Sequence, residues 1–210
     1  MDDWNAIVRP PGPRKLVLGS ASPRRLAMLR GVGFDVESRP PPIDDGAVRV
    51  WRGSPADTVL SLAWFKAAQM NDLDEGDVGL AADTVCVVGG RILGKPRDRR
   101  DARGMLTALQ DGPHTTITGV CIVMKGRTRL LFTDSSTVEV DRIPSETLDA
   151  YLDGGEWRGK AGGYNLVDRV DDGWPIRCVG DPDTVMGLPM RRLRPLLERL
   201  CGGPGPGRTP

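Results

Sequence analysis

The 210-residue chain has one histidine, no Cys-x-x-Cys pair, almost no surplus of charge and no long apolar run. With His114 alone, a histidine-dependent nucleophilic triad has no second candidate. The four cysteines, Cys86, Cys121, Cys178 and Cys201, are scattered, and three of them sit in apolar strand-like runs where a thiol acts as a small hydrophobe. A cysteine-based zinc site is therefore not expected. Lys and Arg number 29 against 28 Asp and Glu, and aromatics are 5% of the chain. Without a basic strip or stacking platforms, a nucleic-acid partner is not expected, although one local basic cluster suffices for a small anion. No apolar run approaches the ~20 residues that span a bilayer. The start, Met1-Asp2-Asp3-Trp4, lacks the basic and apolar pattern of a signal peptide. The expectation is a cytoplasmic protein with no membrane contact.

What is present is strand-and-helix punctuation. Leu16-Val17-Leu18 gives a short buried strand, Gly19 to Ala21 a turn, Ser22 a helix cap and Pro23 a first-turn proline. Arg24 and Arg25 then stand at a helix N-terminus, where free N–H groups and the dipole favour an anion. The same residues also describe an ordinary capped helix, over Pro23–Arg30, with two solvated arginines. Phe34 to Glu37 alternates like a strand, and Pro40-Pro41-Pro42 breaks regularity before Asp44-Asp45-Gly46. That acidic pair reads either as a turn or as a cation site. Ser54-Pro55-Ala56-Asp57 opens a helix whose apolar stripe, Val59, Leu62, Ala63, Ala67 and Met70, has Lys66 in its middle. Lys66 either snorkels or faces a cleft that holds negative charge.

Gly79 to Val88 reads as a central strand buried on both faces, interrupted by Asp83. A carboxylate there loses several kcal/mol of solvation unless paired, protonated or metal-bound, which points to function. Gly89-Gly90 marks a hairpin turn. Gly89 to Pro96 nearly matches a phosphate loop but has Pro96 where a hydroxyl residue is needed, leaving Lys95 as a possible phosphate contact. Further elements are a helix over Arg97–Leu109, strands over 115–125 and 129–140 paired through Gly126, a helix over Pro144–Leu152, a glycine-rich loop over Glu156–Tyr164, a strand over Ile176–Val179 and a helix over Leu188–Leu200. Residues 1–14 read as a loose leader and 201–210 as a disordered tail around one domain, 15–200.

An ordered set of motifs then appears: Ser-Ala-Ser-Pro-Arg-Arg at 20–25, Ala-Ala-Asp-Thr-Val at 81–85, Gly-Lys-Pro-Arg-Asp at 94–98, Ile-Thr-Gly-Val at 117–120, Gly-Glu-Trp at 155–157, Lys-Ala-Gly-Gly-Tyr at 160–164 and Gly-Leu-Pro at 187–189. In these the chain resembles the Maf family of nucleoside triphosphate pyrophosphatases, from about Lys15 to Arg199. The resemblance implies a mixed α/β fold, an elongated twisted sheet with flanking helices and two lobes around a central cleft, commonly as a homodimer. It implies hydrolysis of a nucleoside triphosphate to the monophosphate and pyrophosphate with a divalent cation, Mg²⁺ or Mn²⁺. On matching positions, Asp83 is the expected acid–base or metal-associated residue, and Ser22, Arg25, Lys66 and Lys95 are expected around the triphosphate. Asp45 falls where the family usually has Glu and is expected on the metal with Asp83. Arg24 and Thr84 match the subgroup acting on dTTP and UTP, so Arg24 is expected to help choose the base. Val167 departs from that subgroup's usual Gln, so that Asn165 or Asp168 substitutes or the preference differs. The alternatives are 7-methyl-GTP as substrate, or a non-catalytic nucleotide-binding regulator of cell division.

Overall fold

The computed structural model describes residues 14–42, 53–125 and 130–202. The first strand, β1 (Leu16–Leu18), is too short and apolar to be anything but a buried strand, and all three of its residues are buried. Helix α1 (Pro23–Gly31) follows, then β2 (Val36–Ser38), α2 (Pro55–Ala68), β3 (Val78–Val88), β4 (Arg91–Leu93), α3 (Arg99–Ala108), β5 (His114–Met124) and β6 (Leu130–Val140). After these come α4 (Ser145–Gly154), a 3-10 turn at Ala161–Gly163, α5 (Leu166–Asp171), β7 (Ile176–Val179), α6 (Pro182–Met186) and α7 (Met190–Cys201).

The strands form one mixed sheet in the order β2-β1-β3-β5-β6-β7, with β4 on β3. β1 is parallel to both β2 and β3, and the remaining pairs are antiparallel. The expected mixed α/β architecture is thus present. The alternation of side chains along β3 decides what packs where. Leu80 and Ala82 join α1 and α7 in one core that includes Leu29, Leu188, Leu193 and Leu197. Ala81, on the opposite face, joins α2 in a core with Val17, Ala63, Ala67 and Cys121. A third core, at the far end of the long strands, gathers Leu106, Val138, Leu152, Trp157 and Trp174. The sheet thus carries separate cores at the two ends of its long strands.

Because α1 and α2 lie on opposite faces of the parallel strands, the carboxyl end of β1 is a switch point, the position where open α/β sheets leave a crevice. β1 stops at the pairing of Leu18 with Leu80, whereas β3 runs on through Asp83 and Thr84.

Most expected elements are present within a residue or two. The glycine-rich stretch differs by containing the 3-10 turn, and α5 and α6 are additional. α5 starts where the Asn165 side chain accepts a hydrogen bond from the Val167 N–H, and α6 where Asp181 does the same for Asp183. Both helices are too short, at six and five residues, to display an apolar period. At the termini, α7 extends through Cys201, whose carbonyl accepts from the Arg14 N–H at 3.1 Å. The remaining residues of the expected leader and tail, and the 126–129 turn, lie outside the described residues.

Candidate active site

Beyond the carboxyl end of β1 stand two constellations, one on each face of β3. On the α2 face, Ser54 caps the helix reciprocally with Asp57, and Pro55 sits in the first turn, so the start of α2 is firmly set. Val59, Ala63 and Ala67 bury themselves against the sheet. Lys66, one helical turn beyond Ala63, follows that stripe inward. Its Nζ meets Asp83 Oδ1 at 2.5 Å, and both side chains are only 14% exposed. The misplaced lysine of the helix and the misplaced acid of the strand therefore answer each other. The close approach depends on Gly119, the cross-strand partner of Asp83. A Cβ there would stand 2.6 Å from the Val59 backbone, so only glycine lets α2 lie this low.

On the other face, Thr84 stands opposite Thr118 with their hydroxyls 2.8 Å apart. Ser22 caps α1 as expected, its Oγ accepting from the Arg25 N–H. The Arg25 guanidinium turns inward. It donates to the carbonyls of Gly187 (2.9 Å) and Ala82 (2.8 Å), to Thr84 Oγ1 (3.0 Å) and to Ser20 Oγ (3.4 Å). Arg25 thus ties the β1–α1 turn, β3 and the end of α6 together. Arg24 donates its Nε to the Met186 carbonyl at 2.7 Å. Burial presses the Arg24 pKa down, and the charge of Asp168 pulls against that.

A third group comes from the glycine-rich stretch. Lys160 Nζ lies 4.0 Å from Asp168 Oδ2, and burial lowers the Lys160 pKa against the opposing pull of Asp168 and Glu156. Lys95 is exposed on the segment after β4, whose Gly94 carbonyl accepts from the Gly162 N–H at 3.0 Å. The segments bearing Lys95 and Lys160 are thereby joined. Asn165 spends its carbonyl oxygen on capping α5, at 3.2 Å from the Val167 N–H, and Val167 is 43% exposed.

The structure therefore brings Lys66 to Asp83, and Ser22, Arg25 and Thr84 to one clamp, with Arg24 beside it. Asp45 lies outside the described residues. Sequence reasoning did not single out Lys160, the carbonyls of Met186 and Gly187, or Thr118. Lys160 and Thr118 stood inside motifs quoted for other reasons, whereas a backbone carbonyl carries no sequence signal of its own.

With this geometry in view, the comparisons decide the family. The model of the Maf-like protein family matches residues 15–200. The chain belongs to the Maf family. This Maf protein is 36% identical over 187 residues to a dTTP/UTP pyrophosphatase of Symbiobacterium thermophilum, covering 89% of this chain and 94% of that one. It is 37% identical over 200 residues to a dTTP/UTP pyrophosphatase of Anaeromyxobacter dehalogenans, covering 93% and 98% respectively. A solved HAM1 protein from Coxiella burnetii aligns with a TM-score of 0.43 at 18% identity, over 62% of this chain and 75% of its own.

Proposed function

We propose that this Maf protein hydrolyses a nucleoside triphosphate between the α and β phosphates, releasing the monophosphate and pyrophosphate, with dTTP and UTP as its preferred substrates in the cytoplasm. The Lys66–Asp83 pair, 2.5 Å apart and largely buried beyond the carboxyl end of β1, is the observation that carries this reading. The relatives named dTTP/UTP pyrophosphatase, matched over nearly their whole length, support the class and the bases.

In this reading the Asp83 carboxylate orients a water towards the α-phosphorus and takes its proton as the new P–O bond forms. The α–β bridging bond breaks, the pyrophosphate carries away the electron pair, and the proton passes on to solvent. Lys66 stays on Asp83 in the ground state and keeps the carboxylate aimed. Lys95 and Lys160 offset the charge that grows on the departing pyrophosphate, and Arg24 keeps its expected part in choosing the base. No covalent intermediate is needed.

A divalent cation fits the donor chemistry. Asp83 offers the hard carboxylate oxygen that Mg²⁺ or Mn²⁺ takes, whereas no group of three His, Cys, Asp or Glu side chains gathers among the described residues. A cation held by Asp83 would be completed by phosphate oxygens and water, as such ions commonly are, with Asp45 as the proposed further ligand. When bound it would supply neutralisation of the phosphate charge. Asp168 is the acceptor proposed for the base edge, since Asn165 is spent on its helix. A homodimer is the proposed assembly, and the exposed Trp64, Leu130 and Leu131 offer apolar surface that one would cover.

The test is product analysis after incubation with dTTP, UTP, 7-methyl-GTP, ATP and GTP, each with Mg²⁺ or Mn²⁺. Monophosphate plus pyrophosphate, fastest from dTTP or UTP, is expected. Orthophosphate with a diphosphate would reject the mechanism, fastest turnover of 7-methyl-GTP would move the base preference, and tight binding without turnover would favour the regulator.

A further inference from the structure

Thr118 is fully buried in β5, where an equally β-branched valine would fill the same space without a polar atom to satisfy. Its hydroxyl has one proton, and the neighbours show where it goes. Thr118 Oγ1 donates to the Thr184 carbonyl at 2.7 Å, an atom that can only accept. Towards Thr84 it must therefore accept, so the Thr84 hydroxyl donates across the 2.8 Å gap. That leaves a lone pair on Thr84 Oγ1 for Arg25 Nη2, which can only donate, at 3.0 Å. The chain from Arg25 through Thr84 and Thr118 to the Thr184 carbonyl thus has one possible direction. Its far end is anchored as well, because the Thr184 hydroxyl donates to Asp134 Oδ2 on β6. Thr184 lies in α6, at whose end the Met186 and Gly187 carbonyls receive the Nε–H groups of Arg24 and Arg25.

We infer that Thr118 is a positioning residue, the joint through which β5 holds Thr84, α6 and hence both arginines in their working orientation. It touches no ligand itself. Replacing it by valine would leave the Thr84 proton without its acceptor and the Thr184 carbonyl with only the Gly187 N–H at 3.2 Å, and Thr84 would turn to give its proton elsewhere and release Arg25. The inference rests on the reading above only in taking Arg24, held at the end of α6 beside Arg25, to serve the nucleotide.

The test compares Thr118→Val and Thr118→Ser with the parent protein on the faster of dTTP and UTP. Thr118→Val should raise KM about tenfold with kcat nearly kept, and Thr118→Ser should restore the parent KM. A valine that acts only by lowering stability leaves the KM of the folded enzyme unchanged. In the double variant with Thr84→Val, KM should be no higher than in the worse single variant, because both break one chain. A second readout needs no activity: exchange of the Arg25 Nε–H with solvent, followed by ¹⁵N NMR, should be about tenfold faster in Thr118→Val and normal in Thr118→Ser. If the parent protein turns over no nucleotide, the function fails, and the exchange readout still decides the role of Thr118. Unchanged KM where there is turnover, unchanged exchange, no rescue by serine or multiplying effects in the double variant would each overturn the inference. If the valine variant does not fold, Thr118→Cys carries the same comparisons with a smaller rise expected, and parent values there would overturn it.

Discussion

Asp83 and Arg25 show how differently two charged side chains can be spent. Asp83 has an ammonium against one oxygen, whereas the Arg25 guanidinium gives four hydrogen bonds to the protein's own groups among the described residues. Asp83→Asn keeps the size and still accepts from Lys66, so the fold should survive while turnover falls by about 10²–10⁴. Near-parent rates in a steady-state assay would take the base assignment away from Asp83. For Arg25 the informative change is Arg25→Lys. It keeps the charge but cannot reach acceptors in the β1–α1 turn, on β3 and at the end of α6 at once, so unfolding in urea should show a loss of about 2–3 kcal/mol. A lysine variant with parent stability would mean that charge alone matters at this position. Individual polar residues in apolar company were legible from the sequence, since Lys66 and Asp83 each break a pattern. The inward turn of Arg25 was not, because its acceptors are carbonyls from residues more than fifty positions away.

At the scale of elements, α2 and β5 meet where Gly119 faces the Val59 backbone. Gly119→Ala puts a methyl group 2.6 Å from atoms that cannot move without the whole helix. The helix should rise from the sheet, costing about 1–3 kcal/mol and drawing Lys66 away from Asp83. Gly79→Ala is the control on the same face of β3. Its added carbon would meet the ends of the Val123, Leu73 and Met70 side chains, which can turn aside. Urea unfolding should show both variants weakened, but kcat/KM should fall only for Gly119→Ala. Equal kinetic effects would mean that the height of α2 does not set the site. The long strands and amphipathic helices were legible because their periods repeat several times. α5 and α6 were not, since six and five residues cannot repeat a period. Their caps, Asn165 and Asp181-Pro182, were the available signal.

On the scale of the whole molecule, the single histidine makes stability report on one group. His114 is 1% exposed, its Nε2 is 2.8 Å from the Tyr164 hydroxyl, and its Nδ1 has no hydrogen-bond partner. Burial pushes its pKa from 6.5 to about 4, so the folded protein keeps the ring neutral. Between those values the unfolded chain binds a proton that the folded chain does not. Stability must therefore fall as pH drops from about 6.5 towards 4, by about 1.4 kcal/mol per unit where the difference is complete. From pH 7 to pH 5 the loss should be about 2 kcal/mol, read as a shift in the urea midpoint. Carboxylates titrate mainly below that window, and no second imidazole is present to blur it. His114→Gln keeps a polar partner for Tyr164 and removes the titration. Its stability should be lower at pH 7 and should change little between pH 7 and pH 5. A parent protein with a flat profile over that range would show that His114 can take up a proton without opening the β5–Tyr164 contact that joins the glycine-rich segment to the sheet.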